Sequence, residues 1–154
     1  MKRNLTNLSF AVLAAGSFLL PGSVRAADDP PAHQHMAHFQ ECAKACASCM
    51  RECEACARHC AGQIVLGKKE HALTLGTCSD CGDICATAAK ITARGGPVSA
   101  TVCEACAKVC DTCAAACEKF PNDDHMKQCA KECRDCAKAC REMLKHVGHA
   151  PQEK

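Results

Sequence analysis

The sequence predicts an all-α fold, an antiparallel up-down-up-down four-helix bundle with a cysteine-lined core. Three observations predict it. Eighteen of the 154 residues are cysteine, and within four separate segments every successive cysteine gap is three or four residues, never one, two or five. The positions between them are filled with Ala, Lys, Glu and Arg, helix formers that keep water on one face and thiols on the other. Short breaks rich in glycine and proline separate the four segments, and short loops join antiparallel neighbours.

Residues 1–26 read as a leader. Lys2 and Arg3 precede an apolar stretch from Leu8 to Leu20, which Pro21, Gly22 and a Val24-Arg25-Ala26 end follow. That is the pattern of a secretory signal peptide cleaved after Ala26, and the stretch is shorter than the roughly 18 residues of a membrane span. Lys2-Arg3 is not a twin-arginine signal, so the general secretion route, which carries unfolded chains, is expected. The mature chain is thus expected outside the cytosol, periplasmic in a Gram-negative source, with no membrane attachment after cleavage. Residues 27–33 are expected to be a disordered lead-in and 148–154 a disordered tail, leaving 34–147 for the bundle.

The first helix is expected over 34–61. Its Cys42, Cys46, Cys49, Cys53, Cys56 and Cys60 cover 18 positions in five steps, a mean of about 3.6, one α-helical turn. Gly62 and Gly67 stop it. The second, over 69–93, carries Cys78, Cys81 and Cys85 and is weakened by Gly76 and Gly82. Gly95, Gly96 and Pro97 divide it from the third, over 98–119, with Cys103, Cys106, Cys110, Cys113 and Cys117 and a capping box of Thr101 and Glu104. Phe120, Pro121, Asn122 and Asp123 lead to the fourth, over 123–147, with Cys129, Cys133, Cys136 and Cys140. Asn122 or Asp123 is its N-cap, and Gly148 with Pro151 its stop. The segments also repeat: Cys-Ala-Lys-Ala-Cys-Ala-Ser-Cys from Cys42 resembles Cys-Ala-Lys-Glu-Cys-Arg-Asp-Cys from Cys129.

Composition fixes what fills the core. Beyond the leader, Leu, Ile, Val, Met and Phe together number 18, as many as the cysteines, beside 24 alanines. About half of the core side chains larger than alanine must then be thiols, which bury readily as small hydrophobes. The same region has 16 basic and 17 acidic side chains and no Trp or Tyr. A near-neutral chain without basic clusters or aromatic platforms is a poor nucleic-acid binder.

Three chemistries compete for such a core: a metal store, a disulfide-laced structural bundle, and iron-sulfur, zinc or redox chemistry. Disulfides suit an exported chain with an even cysteine count, but neighbours three or four apart on one helix seldom meet bridge geometry, so bridges would have to cross helices. Iron-sulfur ligation uses loops that wrap a cluster, zinc wants four ligands brought together by knuckles and loops, and a thioredoxin-like pair needs a sheet that has no signal here. Cu(I) matches soft thiolates and can be held by two sulfurs. Neighbours at i and i+3 or i+4 lie about 5 to 6 Å apart at Cβ, close enough to clasp one ion. If each sulfur bridges two ions and each ion takes two sulfurs, the buried core is neutral, whereas uncompensated thiolates are prohibitive to bury.

Six overlapping Cys-x-x-Cys-x-x-x-Cys units spread over all four helices, behind a secretory leader, resemble the copper storage proteins. The resemblance covers the mature chain from about His33 to His146. It implies storage of many Cu(I) ions inside each bundle on the cysteine thiolates, homotetramers and no catalysis. A protein that delivers or receives the copper is expected as a partner.

Histidine and methionine extend the cysteine stripes at both ends. His59, His71, His125 and Met126 would gather at one end from three helices; His35, Met36, His38, Met143 and His146 would gather at the other from two. Convergence from three helices favours the first end as the place where copper enters, with His59 and Met126 as ligands beside the thiolates.

Overall fold

Spacings of three and four residues become helix in every cysteine-bearing segment. In the computed structural model, which describes residues 30–147 and the side chains from Met36 on, α1 is Pro30–Val65, α2 Ala72–Ala93, α3 Ser99–Cys117 and α4 Asp124–Val147, with a 3₁₀ turn, Lys69–His71, ahead of α2. The leader over 1–26 and the tail over 148–154 lie outside the described residues. Each helix packs against its neighbours in the chain, and α4 closes the ring against α1. This is the up-down-up-down order expected from the short loops. Among the described residues no helix is long and apolar enough to cross a membrane.

Helix ends depart from expectation where breakers are tolerated. α1 begins at Pro30, not 34, so its first turn overlaps the segment expected to be disordered over 27–33. Proline is accepted in a first turn because its missing N–H would have no intrahelical partner. At its other end α1 runs through Gly62, which is helical, and stops after Val65. A lone helical glycine costs about 1 kcal/mol, too little to end a helix that packing supports. The stop is Gly67, at φ 90°, whose N–H bonds to Ile64 O at 2.9 Å. The first residues of the expected second helix form the 3₁₀ turn instead.

The expected capping box of α3 does not form. Val98 precedes a helix that has already started at Ser99, with no side-chain cap, which leaves Thr101 inside the first turn. The chain reverses at Gly95, φ 59°, and Ser99 bonds back to Gly96 O through both N–H (3.0 Å) and Oγ (2.6 Å), so the turn geometry fixes the start before Thr101 is reached. Asp123 does cap α4: Oδ1 accepts from the N–H of His125 at 3.0 Å and of Met126 at 3.3 Å.

All 18 cysteines are buried, together with Ala88, Ala114 and Ala137 at 0% exposure. A cysteine side chain ends two atoms from Cα, so four thiol stripes meet only if the helices stand close together. Small residues permit this. A methyl group on Gly82 would come within 2.9 Å of Glu54 Oε1 and 3.8 Å of Cys53 Cβ, marking a close approach of α2 to α1. Gly76 is different: it is exposed, and nothing lies within 4 Å of where its Cβ would be. Gly76→Ala should therefore stabilise the protein by about 0.5–1 kcal/mol through helix propensity alone, read as a raised midpoint of thermal unfolding of the metal-free protein. A lowered midpoint would mean that α2 needs the glycine for packing.

Candidate metal centre

Because six cysteines of α1 follow the helical repeat, their sulfurs form a column along the bundle axis, about 27 Å long at 1.5 Å per residue. The other helices add rungs to it. Along α1 and α4, Cys42 and Cys46 each lie 3.7 Å from Cys140, and Cys49 and Cys53 lie 3.7 and 3.6 Å from Cys133. Between α2 and α3, Cys85 lies 3.5 Å from Cys110 and 3.6 Å from Cys106, and Cys78 lies 3.6 Å from Cys113. Sulfurs also meet across the diagonals: Cys42 and Cys103 at 3.6 Å, Cys49 and Cys110 at 3.9 Å, Cys85 and Cys136 at 4.0 Å. At these levels the side chains that meet across the bundle are thiols, short enough to leave room for the diagonal contacts.

Every cysteine is a free thiol, and separations of 3.5 to 4.0 Å are far from the roughly 2.05 Å of a bridge. They suit a shared ion instead. Sulfurs about 2.3 Å from a metal are about 3.8 Å apart in a tetrahedron, about 4.0 Å in a trigonal site and about 4.6 Å when they face each other across a linear one. Small side-chain rotations therefore span all three geometries. Sets of four sulfurs lie within 4.8 Å of one another: Cys46, Cys106, Cys136 and Cys140; Cys49, Cys53, Cys81 and Cys133; Cys49, Cys85, Cys110 and Cys136; Cys53, Cys113, Cys129 and Cys133; and Cys56, Cys78, Cys117 and Cys129. The third and fifth draw one thiol from each helix. Neighbouring sets share cysteines, so the sites adjoin without a gap.

The two ends differ. At the C-terminal end of α1, the His59 ring lies 4.8 Å from that of His125 and 6.2 Å from that of His71, centroid to centroid. His71 is buried and stacked on Phe120 at 4.1 Å. His71 Nδ1 and His125 Nε2 are buried without a hydrogen-bond partner. Just inside, Met126 Sδ lies 3.5 Å from Cys56 Sγ and 3.9 Å from Cys60 Sγ. A groove of about 660 Å³ beside His59 and His125 opens this end to solvent, lined by Arg58, Gly62, Gln63 and the exposed Val65 and Leu66. At the opposite end Phe39 and Met143 are buried, His38 and His146 stack at 3.6 Å, and Met36 is exposed. The His35 side chain lies outside those described.

A sequence profile described as copper storage protein matches residues 33–145. The chain belongs to the copper storage protein family. A cytosolic copper storage protein from Streptomyces lividans, in a structure titled as carrying five coppers, superposes at TM-score 0.67 with 29% identity over 73% of this chain and 97% of that one. The Streptomyces lividans protein loaded with 10 copper equivalents gives TM-score 0.65 and 28% identity over 83% of this chain and 94% of that one. Apo copper storage protein 3 from Bacillus subtilis gives TM-score 0.60 and 33% identity over 68% and 96%. No curated protein matches the chain. Like these family members, the chain is a helical bundle, and its buried cysteine groups have the donor type and spacing for Cu(I).

Electrostatics forbids such a copper-binding core from ionising all at once. Along α1 the thiols alternate: Cys42, Cys49 and Cys56 are pulled down by hydrogen bonds shared with cysteines of the other helices. Cys46 and Cys53 are pushed up, as donors to Cys106 and Cys113. Burial pushes Cys60, beside Met126, up to about 12, and the hydrogen bond shared with Cys110 brings Cys81 down to about 6.

Sequence reasoning missed two features of the histidine end. Phe120 orders His71 by stacking, and Asp123, read only as a cap, also bonds His59: its Oδ2 lies 2.7 Å from His59 Nε2. Burial opposes its ionisation, but His59 and the N–H groups of Met126 and His125 hold the carboxyl below the usual range. Contacts 64 residues apart leave no local signal.

Because most thiols are pushed up and copper binds thiolate, loading must release protons. Chelator competition between about pH 6 and pH 8 should show apparent Cu(I) affinity falling as the pH falls, with proton release on loading. Affinity independent of pH would mean that the core is already ionised.

Proposed function

We propose that this protein stores Cu(I) on the thiolates of all 18 cysteines, acts without catalysis, and takes copper in at the histidine end. The observation that carries the storage reading is the continuous column of buried, free thiols 3.5 to 4.0 Å apart. Charge favours Cu(I) over zinc. A zinc ion among four thiolates leaves two negative charges per site, and the buried residues include no Lys or Arg to offset them. One Cu(I) per bridging thiolate leaves none.

Anaerobic titration of the reduced mature protein with Cu(I) against a competing chelator tests this. On the order of one tightly held ion per cysteine is expected. Saturation after a few ions would overturn storage and point to a carrier.

Entrance at the His59 end is supported by the buried, unpartnered nitrogens of His71 and His125 and by the buried Met126 thioether, 3.5 Å from Cys56. Met and His bind Cu(I) more weakly than thiolate and need no high-pKa deprotonation, so they suit a place of exchange. Replacing His59, His71, His125 and Met126 together should slow uptake from a chelator and release to it, while the thiolates still set capacity. Unchanged rates would reject this end in favour of the one bearing His38 and His146.

Export through the leader over 1–26, to the periplasm in a Gram-negative source, belongs to the same proposal. So do a homotetrameric assembly and a partner protein that delivers or receives the copper.

A further inference from the structure

We infer that Asp123 is a positioning residue for copper uptake, one carboxylate that sets the tautomer of His59 and the placement of His125 and Met126 together. The inference rests on the proposed entrance and assigns a function to a residue that holds no copper itself.

Both oxygens of Asp123 are used. Oδ2 lies 2.7 Å from His59 Nε2; Oδ1 accepts the backbone N–H groups of His125 and Met126. An ionised carboxylate only accepts hydrogen bonds, so His59 Nε2 carries the proton and donates. Nδ1 is then left as the ring's one lone pair for a soft ion. A carboxylate behind an imidazole fixes the ring's orientation and tautomer, as it does for histidines that ligate metals. The cap acts on the second element. By closing the first turn of α4, Oδ1 fixes the start of the helix that carries the His125 ring and the Met126 thioether, the latter 3.5 Å from Cys56. Asp123 thus ties the histidine of α1 to the two donors of α4 across 64 residues of chain.

The substitution Asp123→Asn separates these roles. Asparagine caps helices as well as aspartate does, so its oxygen keeps the bonds to His125 and Met126. Its amide then faces His59 as a donor. His59 must accept at Nε2 and carry its proton on Nδ1, so geometry is kept with the wrong tautomer. Asp123→Ala removes both roles, and His59→Ala removes the donor alone.

Two measurements decide it. In the reduced, metal-free protein, nitrogen-15 NMR of the His59 ring should show the Nε2–H tautomer in the wild type and Nδ1–H in D123N. In stopped-flow transfer from a Cu(I) chelator, D123N should load on the order of tenfold more slowly than wild type, with the helical signal and thermal midpoint of the wild type. H59A should slow at least as much. A wild-type ring that is Nδ1–H or doubly protonated overturns the inference without any variant. If H59A slows loading and D123N does not, the positioning role falls and the entrance stands. If H59A loads at the wild-type rate, the positioning role falls, and the fourfold variant alone decides whether the entrance stands.

Discussion

Eighteen thiols share one axis, and that single constraint shapes the rest of the molecule. A thiol is a weak hydrogen-bonding group that packs as a small hydrophobe, so the metal-free core is acceptable as long as its protons stay in place. The side chain is short, so the helices must stand close enough for sulfurs to meet across the diagonals, as Cys42 does Cys103 at 3.6 Å. Alanine between the stripes and Gly82 against Glu54 follow from that closeness. The same closeness gives sulfur spacings near those of shared metal ligands. Packing and chemistry are met by one arrangement.

Charge is the second consequence. Thiolates this near to one another cannot all ionise, and lowered Cys42, Cys49 and Cys56 alternate with raised Cys46, Cys53 and Cys60 along α1. Protons hold the column neutral until a monovalent ion replaces them. The surface takes no part in this neutralisation. Arg134 pairs with Glu118 at 2.9 Å and with Asp111 at 3.1 Å, and Arg141 pairs with Asp111, so these charges join α3 to α4 on the outside. Exposed pairs of this kind contribute little to stability.

The helices and their inward faces were legible from Cys42 to Cys140 because the same residues mark the period and form the core. Cysteine gaps of three and four admit no strand, and the repeat left little choice of register. Helix ends were less legible. Gly62 and Thr101 are ordinary stop and start signals, but at Gly62 the packing of α1 outweighs a local cost, and before Thr101 the Gly95 turn sets the start earlier. At the site, the stripe arithmetic placed all the thiols inward and gathered His59, His71, His125 and Met126 at one end. It carried nothing about how that end is held. Phe120 under His71 and Asp123 behind His59 are contacts between distant segments, and such contacts exist only once the bundle has closed.

Closure also explains why a store need not trap its cargo. Cys49, Cys53, Cys129, Cys133 and Cys136 each belong to two of the four-sulfur sets, so an ion can move along the axis by exchanging one sulfur while keeping another. No step then passes through a bare ion in an apolar interior, which would be prohibitive. On the proposed entrance, the ladder would continue through Met126, 3.5 Å from Cys56, to imidazoles that bind Cu(I) more weakly. With the proposed entrance, a store built this way would gain capacity by lengthening the column and set its exchange rate at the doorway, so the two properties would be tuned by different residues. That separation follows from placing the strong ligands along the axis and the weaker ones where the axis meets solvent.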